Sequence, residues 1–236
     1  KVLPTITTSA PVKTISWDKD SSSFAYAEEN RIIVRSAADF SLLQSIETSN
    51  GNILFLAFTQ STEGEGQNQL AALSEKDILE YRVLPQREPV HVTDQKYQSE
   101  PTVLAYSYNG NYIATGNQSG RIQLYLQNYV THSFVARTIG SLTTPIHSLY
   151  FSRDNKYLIS STEDYKAHIW DVASGELVKE LPYYSPSKTP VYISHNSQYI
   201  ISVTEKDKII IYDMSFNPLR TIETIFPIES LRLAAD

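Results

Sequence analysis

The sequence contains no cysteine among its 236 residues. Disulfide frameworks, thiolate metal sites and cysteine nucleophiles are therefore excluded for this chain. A chain without thiols suits a reducing compartment, so we expect an intracellular protein, cytoplasmic, nuclear or both.

Runs of basic residues and long apolar runs are also absent. The chain has 20 Lys and Arg against 26 Asp and Glu, a formal net charge of -6, so we expect no specific nucleic-acid binding. No apolar run approaches the roughly 18 residues that a membrane-spanning helix needs, so we expect no membrane span. The chain begins with Lys1 rather than Met and its first residues lack a signal-peptide pattern, so we interpret it as a fragment or a processed form.

Motifs that would indicate catalysis or a cofactor are missing as well. Gly116 to Gly120 has the wrong spacing for a nucleophile elbow, and Gly64 to Gly66 lacks the third glycine of a dinucleotide fingerprint. The five histidines share no i, i+4 spacing and no repeat position: His91, His132, His147, His168 and His195. We therefore predict no catalytic residue, no metal and no cofactor. Asn117 fits the glycosylation pattern, and we interpret it as a turn residue instead.

One pattern returns five times along the chain. An apolar strand, a polar turn, a second apolar strand, a short acidic or Asn-rich turn and a strand ending in an aromatic follow one another, clearest from Pro145. A period of roughly 40 to 45 residues is typical of a four-stranded repeat unit. Proline opens four of the five repeats, whose approximate bounds are 11–51, 52–100, 101–144, 145–189 and 190–227. The pattern predicts an all-β chain.

The strands of each repeat carry distinct signatures. The first strands are nearly continuous apolar runs, which predicts an innermost strand that is covered on both faces. The third strands give the clearest register, with one column made of Val34, Tyr81, Tyr125, Trp170 and Tyr212.

These residues carry a resemblance to a known family. Trp170-Asp171 is the dipeptide that names the WD40 repeat family, and Tyr212-Asp213 is a common variant. The chain is similar to that family over its whole length. The resemblance implies a WD40-type β-propeller: a single domain over residues 1–236 with five complete four-stranded blades. The family's acidic or glycine residue before the third strand is matched by Asn30, Asp77, Gly120, Asp164 and Asp207.

Two departures from the pattern carry expectations of their own. The Gly-His pair that completes the family's hydrogen-bonded relay from Asp to Trp is absent from every repeat, so we expect the blades to depend more on packing. Repeat two carries the polar insertion STEGEGQNQ, residues 61–69, which we predict to be a solvated and poorly ordered loop.

The two ends resemble parts of further blades. Residues 1–10 resemble the outer strand and crossover of a preceding blade, and residues 228–236 resemble the innermost strand of a following one. The resemblance therefore implies six or seven blades in the intact protein, with strands from both ends closing the ring.

Two function classes follow from the resemblance. The first is a non-enzymatic scaffold, a subunit or adaptor of a multiprotein complex that binds one or more proteins or peptides. The second is a propeller-type hydrolase, or a gating or regulatory propeller of an enzyme whose catalytic domain lies outside this chain. The oligomeric state stays open.

For the scaffold we predict contacts on two kinds of loop. In the family, the crossovers between blades and the turns before third strands share the face on which partners dock, and tyrosine is favoured at interfaces. The candidate partner-binding residues on these loops are Tyr97, Glu163, Tyr165, Tyr183, Tyr184, Glu205 and Lys206.

Overall fold

The computed structural model is built from β-strands. It describes residues 5–48, 51–59, 69–75, 78–82, 90–91, 101–128, 133–183, 191–194, 196–205, 207–226 and 228. Within these ranges every regular element is a strand, and the search of them for a helix long and apolar enough to cross a membrane found none. The all-β prediction is confirmed.

In the described part of the chain, twenty strands form five four-stranded sheets, each in chain order. Sheet one consists of β1 (Val12–Trp17), β2 (Ser23–Glu28), β3 (Arg31–Ser36) and β4 (Leu42–Glu47). Sheet two consists of β5 (Ile53–Phe58), β6 (Gln69–Ser74), β7 (Ile78–Arg82) and β8 (Val90–His91). Sheet three consists of β9 (Pro101–Tyr106), β10 (Tyr112–Asn117), β11 (Arg121–Asn128) and β12 (Ser133–Ser141). Sheet four consists of β13 (Ile146–Phe151), β14 (Tyr157–Thr162), β15 (Lys166–Asp171) and β16 (Leu177–Pro182). Sheet five consists of β17 (Val191–Ile193), β18 (Tyr199–Glu205), β19 (Lys208–Asp213) and β20 (Pro218–Glu223).

The five sheets are of the kind that forms the blades of WD40 propellers. Their consecutive strands pair antiparallel in sheets one, two, four and five, as short turns between successive strands require. Five complete four-stranded units were predicted from the repeats, and five such sheets are present.

The predicted register of the third strands is confirmed for sheets four and five and is wrong by one residue for sheet one. Trp170 lies opposite Leu158 and Tyr212 opposite Ile200, at the same level of their sheets, and both opposing residues are 0% exposed. In sheet one that level is occupied by Arg35, opposite Phe24, whereas Val34 lies opposite Ala25, one residue away.

The expectation that first strands are covered on both faces is wrong for β1, whereas three of the second strands are completely buried. All six residues of β2, β6 and β14 are buried, whereas Val12, Ile15 and Trp17 of β1 are 43%, 55% and 47% exposed. A second strand has a neighbouring strand on each side, and its small Ala and Ser residues allow close packing on both faces. Residues 5–11 carry no strand, and the assignment of residues 1–10 to a preceding blade stays a prediction.

The chain groups into two compact units, each with its own core. The first comprises residues 1–100, 109–113 and 125–136, and the second residues 101–108, 114–124 and 137–236. In the first unit, sheet one packs on sheet two through apolar residues such as Ala25, Val34, Leu56 and Leu70. In the second unit, sheet four packs on sheet five through residues such as Ile159, Ile169, Val191 and Ile200. The single domain over residues 1–236 stays a prediction.

The turn interpretation of Asn117 agrees with its contacts. Its side chain is 7% exposed, and its Oδ1 accepts hydrogen bonds from the Ser119 amide at 3.1 Å, the Ser119 hydroxyl at 2.9 Å and the Arg121 amide at 2.9 Å. The insertion predicted to be a loop, residues 61–69, lies outside the described residues except for Gln69, which begins β6.

Candidate functional site

The turn between β14 and β15 presents Glu163, Asp164 and Tyr165 to solvent. All three are exposed, and the Tyr165 ring is 56% exposed. Tyr165 adopts φ 61°, a left-handed conformation that few residues with a Cβ adopt. An exposed aromatic ring held in a strained turn is the most distinctive surface feature that this sheet offers.

Hydrogen bonds hold this turn in its conformation. Thr162 Oγ1 donates to Asp164 Oδ1 at 2.6 Å, and the Tyr165 amide donates to the Thr162 carbonyl at 3.2 Å. Thr144 Oγ1, on the crossover from sheet three, lies 3.5 Å from the same Asp164 oxygen. Neither threonine was predicted as a site residue, although the Thr-x-Asp spacing at the end of an apolar strand is a recognisable turn signal.

Tyr183 contacts Tyr165 and supports it through hydrogen bonds and a contact between the two rings. Its amide donates to the Tyr165 carbonyl at 3.0 Å, and its hydroxyl donates to the Thr162 carbonyl at 2.7 Å. The two rings meet edge to face, with centroids 5.9 Å apart and an interplanar angle of 78°. Burial, with the nearby Asp164 charge adding to it, raises the pKa of Tyr183 to about 12, so its hydroxyl stays protonated and can donate.

Tyr183 is therefore a correction to the predicted set of contact residues. Its side chain is 5% exposed and belongs to the core that joins sheets four and five, so its ring has almost no surface to offer a partner. The residue follows β16 directly and turns inward because its ring fills space beside Leu181 and Val191. A tyrosine on a crossover can be an interface residue or a core residue, and the sequence does not distinguish the two.

The remaining predicted contacts fall in two groups. Glu205, at the equivalent turn of sheet five, is exposed, and its Oε1 lies 3.3 Å from Lys208 Nζ. Lys208 Nζ also lies 4.0 Å from Glu223. Tyr97, Tyr184 and Lys206 lie outside the described residues.

Charge around the turn of sheet four is unbalanced. Lys166, which begins β15, is directed to Glu180 of β16, with 3.7 Å between Nζ and Oε2. Within the described part of the chain, the Glu163 carboxylate forms no ion pair. Among the described residues, the turn thus presents an aromatic ring beside a carboxylate that forms no ion pair.

The described histidine and acidic residues of this region do not form a metal site. Among them, no cluster of three or more His, Asp or Glu side chains is placed to hold a metal ion. His168 is 3% exposed, stacks on Trp170 with centroids 6.1 Å apart, and has Nε2 3.1 Å from Glu180 Oε1. Burial lowers its pKa, against the opposing effect of Glu180, so the imidazole is a neutral core residue.

The tryptophan of the Trp-Asp pair forms a hydrogen bond within its own sheet. Trp170 Nε1 donates to the hydroxyl of Ser160 on β14 at 2.9 Å, and Ser160 is 0% exposed. This bond satisfies the indole in a chain that lacks the Gly-His pair of the family's relay. The serine was not identified from the sequence, because strand pairing had first to place it beside Trp170.

Comparison with known proteins supports the resemblance for one part of the chain. Residues 133–171 match the model of the WD40 family, described as WD domain, G-beta repeat. The matched segment runs from the start of β12 to the end of β15. It therefore includes the WD40 turn that carries Tyr165 and the strand that carries Trp170.

Several WD-repeat proteins are similar to shorter stretches of the chain. F-box-like/WD repeat-containing protein TBL1X of Homo sapiens is 28% identical over 92 residues, 39% of this chain and 15% of its own length. Eukaryotic translation initiation factor 3 subunit I of Schizosaccharomyces pombe is 31% identical over 108 residues, 44% of this chain and 32% of its own length. Retinoblastoma-binding protein 5 homolog of Drosophila melanogaster is 32% identical over 82 residues, 35% of this chain and 16% of its own length. The matched segments thus span less than a third of each relative.

The support that Tyr183 gives to the turn leads to a prediction for Tyr183→Phe. The variant keeps the ring but removes the hydrogen bond to the Thr162 carbonyl, which still accepts from the Tyr165 amide. We expect a loss of about 0.5 to 1.5 kcal/mol in the free energy of unfolding, measured by urea denaturation. Tyr199→Phe is the matched control, because Tyr199 is 41% exposed and should change little. Equal stability of the Tyr183 variant and wild type would contradict the supporting role.

Proposed function

We propose that this protein is a non-enzymatic interaction scaffold, a subunit or adaptor of a multiprotein complex. It binds protein or peptide partners through loops of one propeller face, and the turn of sheet four is the principal contact. The observation that carries the proposal is the exposed Tyr165 ring on a turn that is held rigid by Thr162 and buttressed by Tyr183. Binding residues placed on loops by a rigid scaffold are a common arrangement.

The chemistry of the turn fits a protein partner. A tyrosine ring covers a large area at small cost in conformational entropy, and it contributes apolar contact and a hydrogen bond together. Glu163 would add selectivity through its exposed negative charge. Glu205, Lys206, Tyr97 and Tyr184 are proposed as further contacts, and Tyr183 acts by holding Tyr165.

The names of the relatives agree with this class of function. One is a subunit of translation initiation factor 3, and another is named as binding retinoblastoma protein. For the present chain we extend from these names only the general role of binding other proteins within a complex.

The proposal is tested by replacing Tyr165 and measuring partner binding. Tyr165→Asn is the suitable change, because asparagine tolerates the left-handed conformation and the turn is preserved. The intact protein from its native cell, with and without the substitution, is crosslinked and its partners are quantified by mass spectrometry. We expect at least one partner to fall by about tenfold, since a central aromatic contact contributes more than about 1 kcal/mol to binding.

A control variant separates a contact from a change in fold. Tyr199→Thr removes another half-exposed tyrosine from a strand and should leave the partner set unchanged. The scaffold role of the turn is wrong if Tyr165→Asn retains every partner at wild-type level while unfolding at the same urea concentration as wild type.

One specific partner is included in the same experiment. The segments YIATGNQSGRIQLY (residues 112–125) and KIIIYDM (residues 208–214) are similar to the WD40 protein that recruits the γ-tubulin ring complex to centrosomes. We propose this complex as a candidate partner on that resemblance alone. Absence of its subunits from the crosslinked set would remove it.

A further inference from the structure

A group of hydroxyl side chains shares one face of sheet four. Ser148 of β13 lies opposite Ser161 of β14, and Tyr150 lies opposite Ile159. Residues two apart on a strand point to the same side, and directly opposed residues have Cβ atoms about 4.5 to 5.5 Å apart. Ser148, Tyr150 and Ser161 therefore start from neighbouring positions on one face, which we call the hydroxyl face.

Sheet five covers the hydroxyl face. Ile159, which is on this face, belongs to the core shared with Val191 and Ile200 of sheet five, and Tyr150 packs against that core. The ring of Tyr150 stacks on Tyr192 of β17, with centroids 6.4 Å apart and an interplanar angle of 30°. The hydroxyls are thus enclosed between two sheets of the same compact unit.

These hydroxyls have no hydrogen-bond partner among the described residues although they are shielded from solvent. Ser161 is 0% exposed, and its Oγ, the Ser148 Oγ and the Tyr150 hydroxyl are buried without a hydrogen bond to any described residue. Burial, with contributions from Tyr192 and Tyr183, raises the pKa of Tyr150 well above its usual range, so its hydroxyl is neutral. A buried hydroxyl without a hydrogen bond costs free energy, and native proteins almost always avoid that cost.

Neighbouring hydroxyls show that the chain satisfies such groups elsewhere. Ser160, adjacent to Ser161 but on the opposite face, accepts a hydrogen bond from Trp170 at 2.9 Å. Tyr183 donates to the Thr162 carbonyl at 2.7 Å. Among the described residues of sheet four, the buried hydroxyls without a hydrogen bond are those of Ser148, Tyr150 and Ser161, whereas Gln44 and Thr204 are the comparable cases in sheets one and five.

We propose that the hydroxyl face binds ordered water that bridges Ser148, Tyr150 and Ser161 between sheets four and five. Water is the small ligand that both donates and accepts, and a buried water typically makes about three hydrogen bonds to otherwise unsatisfied groups. An apolar ligand would leave the same hydroxyls unsatisfied. The site is independent of the proposed scaffold function, because it depends only on the packing of these two sheets.

The first test uses the sign of a stability change. In Tyr150→Phe, a hydroxyl bound to ordered water would lose its hydrogen bonds, and we expect the equilibrium constant for unfolding to rise about five- to tenfold. A hydroxyl that is buried and bare would give the opposite result, because its removal relieves a desolvation cost, and the equilibrium constant would stay the same or fall. The equilibrium constants are measured by urea denaturation. Tyr199→Phe, at a half-exposed position, is the matched control and should not change it.

The second test detects the water directly. The amplitude of the magnetic relaxation dispersion of water oxygen-17 reports the number of water molecules that stay inside the protein much longer than water molecules stay at its surface. The variant Ser148→Ala, Ser161→Ala, Tyr150→Phe removes every hydroxyl of the face, and we expect a smaller dispersion amplitude than in wild type. An unchanged amplitude would overturn the proposal. If the triple variant does not fold, the sign of the Tyr150→Phe change decides it alone.

Discussion

Trp170→Ala is expected to lower the free energy of unfolding by about 3 to 5 kcal/mol, the range for removing a large aromatic from a packed core. Trp170 is 5% exposed, and its indole donates a hydrogen bond to buried Ser160. Alanine would leave both a cavity and an unpaired hydroxyl. The neighbouring Gly140 marks how closely the indole is packed, since a Cβ at that position would lie 2.8 Å from Trp170 Cη2.

The other tryptophan of the chain is a matched control. Trp17 is 47% exposed and packs against Phe24 with centroids 5.0 Å apart and an interplanar angle of 40°, so Trp17→Ala should cost only about 1 to 2 kcal/mol. Both variants are measured by urea denaturation with circular dichroism, because each removes a fluorophore. Equal losses at the two positions would show that the Trp-Asp column is not a packing centre.

The same column explains why so much of the fold was accessible from the sequence. Trp170 and Tyr212 end runs of β-branched and apolar residues, and polar turns precede each run, so strand identity and register both follow from local pattern. The residues opposite Trp170 and Tyr212, which are Leu158 and Ile200, then follow from the pattern, because consecutive strands joined by short turns pair antiparallel.

What the sequence did not reveal depends on contacts between strands or sheets. Alternation along a strand predicts two faces, but whether each face is covered depends on the neighbouring sheet. Thus β1 leaves Ile15 and Trp17 exposed although its sequence is that of a buried strand. Inward rotation of Tyr183 has the same origin, because it follows from the space beside Val191 in the facing sheet.

The candidate site was likewise only partly predictable. Tyr165 and Glu163 were identified because polar turns before third strands are recognisable, and both are exposed as expected. Thr144 reaches Asp164 from the preceding crossover, a contact between residues 20 positions apart that only the folded chain brings together. Partner binding by these residues stays a prediction until the Tyr165→Asn comparison is made.

Gly120→Ala should be strongly destabilising, because it combines two unfavourable effects in the turn between β10 and β11. Gly120 has φ +80°, and an added Cβ would lie 2.2 Å from the Leu142 carbonyl oxygen and 2.8 Å from that of Thr144. These carbonyl groups belong to the backbone. They cannot easily move away, because the Leu142 amide donates to the Gly120 carbonyl at 2.9 Å. The left-handed conformation costs alanine about 1 to 2 kcal/mol, and overpacking adds about 1 to 3 kcal/mol. We therefore expect a loss of about 2 to 5 kcal/mol in urea denaturation.

Gly175→Ala separates the two effects. Gly175 has nearly the same conformation, φ +78°, but the nearest atom to an added Cβ is a side-chain methyl, Ile139 Cγ2, at 3.1 Å. This methyl can shift, so only the conformational cost of about 1 to 2 kcal/mol should remain. If the two alanine variants lose the same stability, the close approach of the Leu142 carbonyl does not matter, and Gly120 is needed only for its positive φ. If Gly120→Ala loses more stability than Gly175→Ala, the close backbone contact between the turn and the crossover contributes to stability. The same contact then also positions Thr144, whose hydroxyl lies near Asp164.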